Sequence, residues 1–163
     1  MGKGTGKKER KDAAWPGVPE ATRRIMRSIR STDTKPEKAL RSLCHSLGYR
    51  FRVHAGDLPG KPDVAFTARR KAVWLHGCFW HQHPGCNWTS VPRTRPEYWE
   101  PKLAGNQARD AVNVAQLLQM GWTSLVIWEC EMRSLEEVAE KLRMFLGPPR
   151  TTPTRSARWL SPS

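Results

Sequence analysis

The chain has 163 residues, which is enough for one domain with a hydrophobic core and too few for two domains of ordinary size. Its formal net charge is +13, from 28 basic and 15 acidic residues. Such a charge favours a polyanionic partner, most often nucleic acid, although a ribosome-associated or merely basic protein fits the charge alone. Because no apolar stretch approaches the ~20 residues of a membrane span and no signal peptide is visible, we expect a cytoplasmic protein without membrane contact.

The chain begins with a predicted arm and a predicted helix, both basic. Residues 1–20 are rich in Gly, Lys and Ala without hydrophobic periodicity, which predicts a mobile arm. In residues 21–30, arginines surround a helical apolar pattern formed by Ile25, Met26 and Ile29. A helix of this kind is suited to lie on DNA.

A second helix is predicted over residues 37–47, with an apolar stripe formed by Leu40, Leu43 and Leu47. Glu37 lies in its first turn, where the helix dipole favours a carboxylate. The residues alone give Glu37 no further role.

Three short strands are predicted next, over residues 50–55, 64–67 and 72–75. A tight turn joins the last two into a hairpin, which would place Asp63 at one strand end, facing Leu75. A carboxylate there can share Mg²⁺ with a backbone carbonyl and waters. Asp63 alone is a weak signal, since Pro-Asp dipeptides are common in turns.

Residues 76–86, HGCFWHQHPGC, hold three of the five histidines and two of the four cysteines of the chain. A fourth soft ligand is available at the end of the apolar run 125–128. Three thiolates and one imidazole form a closed zinc set, here predicted as Cys78, His83, Cys86 and Cys130. Ordinary buried cysteines are the alternative.

That assignment leaves His76 and His81 outside the zinc set. An imidazole that does not bind zinc can take or give a proton near neutral pH. A lone histidine near a strand end is more often structural, so a catalytic role requires a metal-binding carboxylate nearby.

Residues 87–103 mix prolines, aromatic residues and basic residues, which predicts a surface loop. Trp99 in this loop is expected to face DNA, because bases stack on exposed rings. Trp74 and Trp128 lie on apolar strands and are expected in the core.

The last elements are a helix over residues 105–120, a strand over 123–129 that should be central in the sheet, and a final helix that begins with a capping box at Ser134 and Glu137. The core-facing residues predicted for the two helices are Ala108, Ala111, Val112, Ala115 and Leu118, and Leu135, Val138, Leu142 and Phe145. Residues 148–163 are expected to be disordered.

Together these segments resemble the very-short-patch repair (Vsr) mismatch endonucleases, bacterial enzymes that nick DNA beside a T:G mismatch. The resemblance covers about residues 21–147 and is carried by LPGKPDV at 58–64, HGCFWH at 76–81, VPRTRPEYW at 91–99, VIWEC at 126–130 and the helix with Lys102, Asn106, Arg109 and Asp110. It implies an α/β fold in which helices flank a mixed central sheet, related to restriction endonucleases and containing a structural zinc site. Residues 21–147 would be the endonuclease domain between two tails.

The resemblance also implies roles for single residues. Asp63 would be the Mg²⁺ carboxylate, and the carbonyl of Leu75 a second ligand. His81 would transfer a proton, His76 would support the scissile phosphate, and Glu37 would orient the catalytic histidines. The family often has Thr where this chain has Leu75, which is compatible with metal binding through the carbonyl alone.

For DNA recognition, the resemblance implies that aromatic residues wedge into the base stack beside the mismatch and that an apolar residue enters from the opposite groove. Two further positions read the mismatched pair. The corresponding residues are Phe79, Trp80 and Trp99 for the wedge, Met26 for the opposite groove, and Lys102 and Asn106 for the mismatched pair.

The predicted function is therefore Mg²⁺-dependent nicking of double-stranded DNA beside a T:G mismatch, by a monomer whose contacts with other repair proteins stay open. A zinc-stabilised DNA-binding module without catalysis is the alternative from another class, but it has no use for Asp63 beside two free histidines. A sequence-specific restriction endonuclease is a third possibility. Residues 73–75 lack the acid and lysine of that class, so the histidines would have to supply the proton chemistry.

Overall fold

In a computed structural model of the protein, the described residues are 24, 32–91 and 95–149. The chain divides into two compact units, Met1–Thr34 and Lys35–Ser163, and every element named below belongs to the second. The predicted arm, the tail from residue 150 and, except for Arg24, the predicted helix over 21–30 with Met26 all lie outside the described residues.

A mixed three-stranded sheet forms the centre of this second unit. Strand β1 (Val64–Phe66) pairs antiparallel with β2 (Lys71–His76), and β2 pairs parallel with β3 (Thr123–Trp128). The predicted hairpin and the predicted mixed α/β architecture are confirmed. Among the described strands β2 is the middle one, so the prediction that the strand over 123–129 is central is wrong.

In the described part of this unit, four helices accompany the sheet: α1 (Lys35–Ser46), the single turn α2 (Cys78–His81), the long α3 (Pro96–Gln119) and α4 (Leu135–Leu146). Alternate strand residues point to opposite faces of the sheet, and each face has its own apolar cluster. Helices α1 and α4 cover one face, with a core formed by Leu40, Cys44, Val64, Phe66, Val73, Ile127, Val138, Leu142 and Leu146. The other face is covered by α3 and the loop before β1, with a core formed by Ala55, Leu58, Ala65, Ala72, Trp74, Leu117 and Trp122.

These two clusters explain why β3 is apolar although it lies at the sheet edge. Leu125 packs against the first cluster and Val126 against the second, so both faces of the strand are covered. An apolar run therefore indicates burial of the two faces and does not require a strand on each side.

Helix α3 begins at Pro96, nine residues before the predicted start, so the loop predicted over 87–103 is wrong in its second half. Proline is favoured in the first turn because no helical partner is needed for the missing N–H. A second proline, Pro101, lies inside the helix, where burial of Trp99 and Leu103 stabilises the extra turns.

The core-facing side predicted for α3 is also wrong. Val112 is 54% exposed and Leu118 is 66% exposed, whereas the buried residues of the helix are Trp99, Leu103 and Leu117. Partly buried Asn106 and Asp110 lie between them. The inward side of α3 is thus polar in its middle, and the alanine-rich side faces outward.

Two smaller predictions also fail. Residues 50–55 form no strand, and only Arg52 makes an isolated bridge, to Ala65. His54 has a φ of 47°, which interrupts an extended backbone. Leu135 is exposed at the first position of α4, whereas Val138 and Leu142 are buried and Phe145 packs at the edge of the core.

A basic turn between β1 and β2 holds the ends of two helices. Arg69 donates to the carbonyl of Leu146 at 2.7 Å, and Lys71 donates to the carbonyl of Phe145. Arg70 donates to the carbonyl of Met120 at 3.3 Å, just after α3. Cations are favourable at helix C-termini, where carbonyls lack helical partners.

Among the helices that the structure describes, none has both the length and the hydrophobicity of a membrane span.

Candidate functional site

Strand β2 ends at His76, and the single turn α2 follows after Gly77, so two histidines lie close together at the edge of the sheet. The rings of His76 and His81 stack with centroids 3.9 Å apart and an interplanar angle of 13°. Asp110 of α3 completes this cluster. Its Oδ2 lies 2.5 Å from Nδ1 of His81 and 4.0 Å from Nδ1 of His76.

The two imidazoles differ in environment. Burial lowers the pKa of His76 to about 4; His81 also lowers it, and Asp110 raises it. His76 is therefore neutral at pH 7. His81 is more exposed, and its ring is oriented by its contact with the carboxylate of Asp110. These are the properties of a neutral hydrogen-bonding group beside a proton-transfer group.

Asp110 belongs to the helix of the family motif, but no role was predicted for it. Lys102, Asn106 and Asp110 are spaced four residues apart, which places them on one side of α3. That spacing, in a helix already matched to the histidine motif, is the signal that could have identified Asp110.

Asp63 lies directly before β1, where the hairpin predicted it. Its Oδ2 accepts a hydrogen bond of 2.7 Å from the backbone N–H of Leu75. The pKa of Asp63 is raised overall, mainly by burial and further by the charge of Glu37. The hydrogen bond from Leu75 and the charges of Arg41 and His54 lower this pKa but do not outweigh the burial. A partly buried carboxylate near a second acid is a suitable place for a divalent cation, which would offset both the burial and the repulsion. The residues present thus fit Mg²⁺.

Glu37 is buried in α1 and accepts a hydrogen bond of 3.0 Å from Arg41. Its charge acts on Asp63, which places it on the carboxylate side of the site. The predicted role of Glu37 in orienting the histidines stays a prediction. Asp63 itself is not part of the tight group formed by His76, His81 and Asp110.

The four predicted zinc ligands come together in one cluster. The ligand atoms of Cys78, His83, Cys86 and Cys130 all lie within 4.8 Å of one another. Nδ1 of His83 is 3.8 Å from Sγ of Cys78 and 3.3 Å from Sγ of Cys130. Donors held at these separations suit a four-coordinate ion with bonds of about 2.0 to 2.3 Å.

Neighbouring groups contact the cysteines and the histidine of this cluster. The backbone N–H of Trp88 donates to Sγ of Cys86 at 3.5 Å and lowers the pKa of that thiol. Burial raises the pKa of Cys78 to about 12, so this thiol is neutral without a cation beside it. The ring of Trp128 stacks on His83 with centroids 4.2 Å apart. Trp128 is only half-buried and covers the cluster, so the prediction that it lies in the core is wrong. Trp74 is in the core as predicted.

An aromatic group connects α2 with the start of α3. Phe79 lies 5.0 Å from Trp80 and 5.4 Å from Trp99, measured between ring centroids. Trp99 is only 8% exposed, so the expectation of an exposed ring in a surface loop is wrong, whereas its contact with DNA stays a prediction. Its position in the first turns of α3 presses it against α2. Lys102 reaches this group as well and donates to the hydroxyl of Tyr98 at 3.1 Å.

Asn106, the second predicted reader of the mismatch, contacts the protein at both ends of its side chain. Nδ2 donates to the carbonyl of Trp80 at 2.9 Å, and Oδ1 accepts from Arg109. The structure therefore brings Phe79, Trp80, Trp99, Lys102 and Asn106 to one region beside the histidines.

Known proteins match this chain over most of its length. A family model described as DNA mismatch endonuclease Vsr matches residues 18–88, which contain Asp63, His76 and His81. The type II nicking enzyme V.XorIIP of Xanthomonas oryzae pv. oryzae is 48% identical over 130 residues, covering 80% of this chain and 95% of that protein. The DNA mismatch endonuclease Vsr of Escherichia coli K12 is 41% identical over 123 residues, covering 75% of this chain and 78% of that protein.

Proposed function

The chain belongs to the Vsr family of DNA mismatch endonucleases, and we propose that it nicks one strand of duplex DNA beside a T:G mismatch in a Mg²⁺-dependent hydrolysis. The activity of a DNA endonuclease is common to the family description and to these relatives. The observation that supports hydrolysis by this chain is the group of His76, His81 and Asp110 next to the end of β2, where the N–H of Leu75 contacts the carboxylate of Asp63.

Asp63 and the carbonyl of Leu75 are the groups that would hold Mg²⁺. When bound, the ion polarises the scissile phosphate and stabilises the charge of the leaving oxygen. The predicted pairing of Asp63 with Leu75 is supported by their 2.7 Å hydrogen bond, which keeps the carboxylate against the end of β2.

His81 takes the proton from the attacking water. Because Nδ1 faces Asp110, the nitrogen left for that proton is Nε2. The carboxylate keeps the ring oriented and stabilises the imidazolium that forms. His76 stays neutral and supports the phosphate through hydrogen bonding, and Glu37 orients the catalytic histidines.

Recognition uses deformation of the DNA. Phe79, Trp80 and Trp99 insert at the mismatch, while Lys102 and Asn106 contact the mismatched pair and Met26 enters from the other groove. A T:G pair unstacks more readily than a Watson–Crick pair, so opening the step costs less there. The aromatic residues are packed together in the unbound chain, so insertion requires this group to open.

Cys78, His83, Cys86 and Cys130 would hold Zn²⁺ in a structural role. Four protein ligands would leave no open position for substrate. It would tie the loop after α2 to the turn after β3, two segments that are far apart in sequence. We further propose that the protein is a monomer, with an endonuclease domain at residues 21–147 between tails at 1–20 and 148–163.

The names of several relatives support a second candidate. Proteins called type II nicking enzymes match this chain, one of them at 48% identity, which favours nicking at a defined DNA sequence. The two candidates differ in the substrate feature that is required, a mismatch or a sequence.

A nicking assay separates them. The substrates are three pools of end-labelled duplexes with randomised flanking sequences, and the pools carry T:G, T:A or C:G at one fixed position. Each pool is incubated with Mg²⁺. The proposal expects nicks only in the T:G pool and none without a divalent ion. Nicking of a matched duplex at one flanking sequence would favour the second candidate, and binding without nicking would favour a non-catalytic module.

A further inference from the structure

One side of α3 holds the second half of α2, formed by Trp80 and His81. Three residues of α3, spaced one turn apart, contact three different parts of the short helix. Lys102 lies over the ring of Trp80 at 5.4 Å, Asn106 contacts the Trp80 backbone, and Asp110 contacts the ring of His81.

The backbone contact is the one that fixes the direction of α2. This helix has four residues, too few to be stable by itself. Carbonyls in its last turn lack helical partners, and the carbonyl of Trp80 obtains one from Nδ2 of Asn106 at 2.9 Å. Arg109 donates to the other end of the same amide, which keeps its Nδ2 turned toward Trp80.

The Trp80 carbonyl belongs to the peptide group that continues into His81. The N–H of that peptide donates to the carbonyl of Gly77 at 3.1 Å, so both sides of the peptide plane are held. Because a peptide group is planar, fixing it fixes the Cα of His81 and the direction from which its ring meets Asp110.

We propose that Asn106 is a positioning residue for His81, acting through the Trp80 carbonyl, in addition to any contact that it makes with DNA. Its importance for catalysis rests on the proposed function of His81. The same hydrogen bond joins the aromatic wedge to the proton-transfer residue, because Trp80 and His81 are neighbours. Movement of Trp80 into DNA is then transmitted to the histidine through one shared peptide.

Asn106→Asp tests this contact. The substitution keeps an oxygen for Arg109 and replaces the donor to Trp80 by a second oxygen, which repels the carbonyl. Gln107→Glu is the matched control, because it makes the same change from amide to acid at the exposed neighbouring position of α3. Asn106→Ala removes the donor without adding charge. It replaces Asn106→Asp in both measurements if the Asp variant fails to melt cooperatively.

The first measurement uses full-length protein without DNA. The imidazole nitrogen resonances of His81 are followed by NMR, with Asp110→Asn as the reference for a ring that has lost its carboxylate. We expect the resonances of Asn106→Asp to move toward that reference and those of Gln107→Glu to stay at the parental positions. Parental resonances in both Asn106 variants would overturn the proposal, whether or not the protein nicks T:G duplexes.

The second measurement is single-turnover nicking of a T:G duplex at saturating protein. Misplacing a catalytic group by about 1 Å costs roughly 100-fold in rate, so a loss of this order is expected in the maximal rate of Asn106→Asp. A parental maximal rate with weaker DNA binding would mean that Asn106 only reads the base pair and would overturn the positioning role. If the parent fails to nick any duplex, the proposed function fails, and the NMR comparison still decides the positioning.

Discussion

Nδ1 of His81 and Oδ2 of Asp110 lie 2.5 Å apart, a carboxylate and imidazole pair supplied by two helices that are consecutive in the chain. Asp110→Asn would keep the size of the side chain and remove the charge that stabilises the imidazolium. Since proton transfer by a positioned group contributes typically 10²- to 10⁴-fold, the nicking rate should fall by roughly that factor.

Single-turnover nicking and equilibrium DNA binding check this prediction together. Glu100→Gln is the matched control, because it removes an exposed acid from the same helix. Binding should be retained in both variants. A nicking rate in Asp110→Asn equal to that of the control would remove Asp110 from the mechanism.

Asp63→Asn should abolish Mg²⁺-dependent nicking while leaving the fold intact. The Asn side chain still offers an oxygen to the N–H of Leu75, but it lacks the negative charge that a hard cation requires. Nicking over a titration of Mg²⁺ is the measurement, with Asp57→Asn as the control at an exposed acid paired with Arg52. Full activity of Asp63→Asn at ordinary Mg²⁺ would place the metal elsewhere.

Cys130→Ser should lose most of its zinc and melt at a lower temperature, because metal binding is coupled to folding. Elemental analysis of the parental protein should give about one zinc per chain. The control is Cys44→Ala, since Cys44 is a buried cysteine that lies outside the cluster. A well-folded parent purified without chelators and free of zinc would contradict the zinc assignment.

Trp99→Ala should destabilise the unbound protein, because the ring is buried against Phe79 and Trp80. Large-to-small changes of this kind cost roughly 3 to 5 kcal/mol. Trp88→Ala is the control, since Trp88 is an exposed ring stacked by Arg133. Urea denaturation of both variants checks the difference, and equal stability of the two would show that the burial of Trp99 contributes nothing.

The local chemistry of the sequence was enough to predict the hairpin and the grouping of Cys78, His83, Cys86 and Cys130, because strand ends and soft ligands leave clear patterns. The orientation of α3 was not predictable in the same way. Its alanines give a regular apolar period, yet the side that packs inward carries Asn106 and Asp110, which are held by contacts with α2. Those contacts join residues 26 and 29 positions apart in sequence. Periodicity within one helix contains no information about them.

The basic turn that holds the ends of α3 and α4 affects how the protein should respond to salt. Arg69, Arg70 and Lys71 each donate to backbone carbonyls, so part of the formal charge of +13 compensates the dipoles of the protein's own helices. A cation engaged in this way releases no counterion from DNA. Each phosphate contact contributes about 0.9 to the slope of log affinity against log salt concentration. The measured slope should therefore count the phosphate contacts of the DNA-facing surface, and neutralising Arg69 should lower the melting temperature while leaving that slope unchanged.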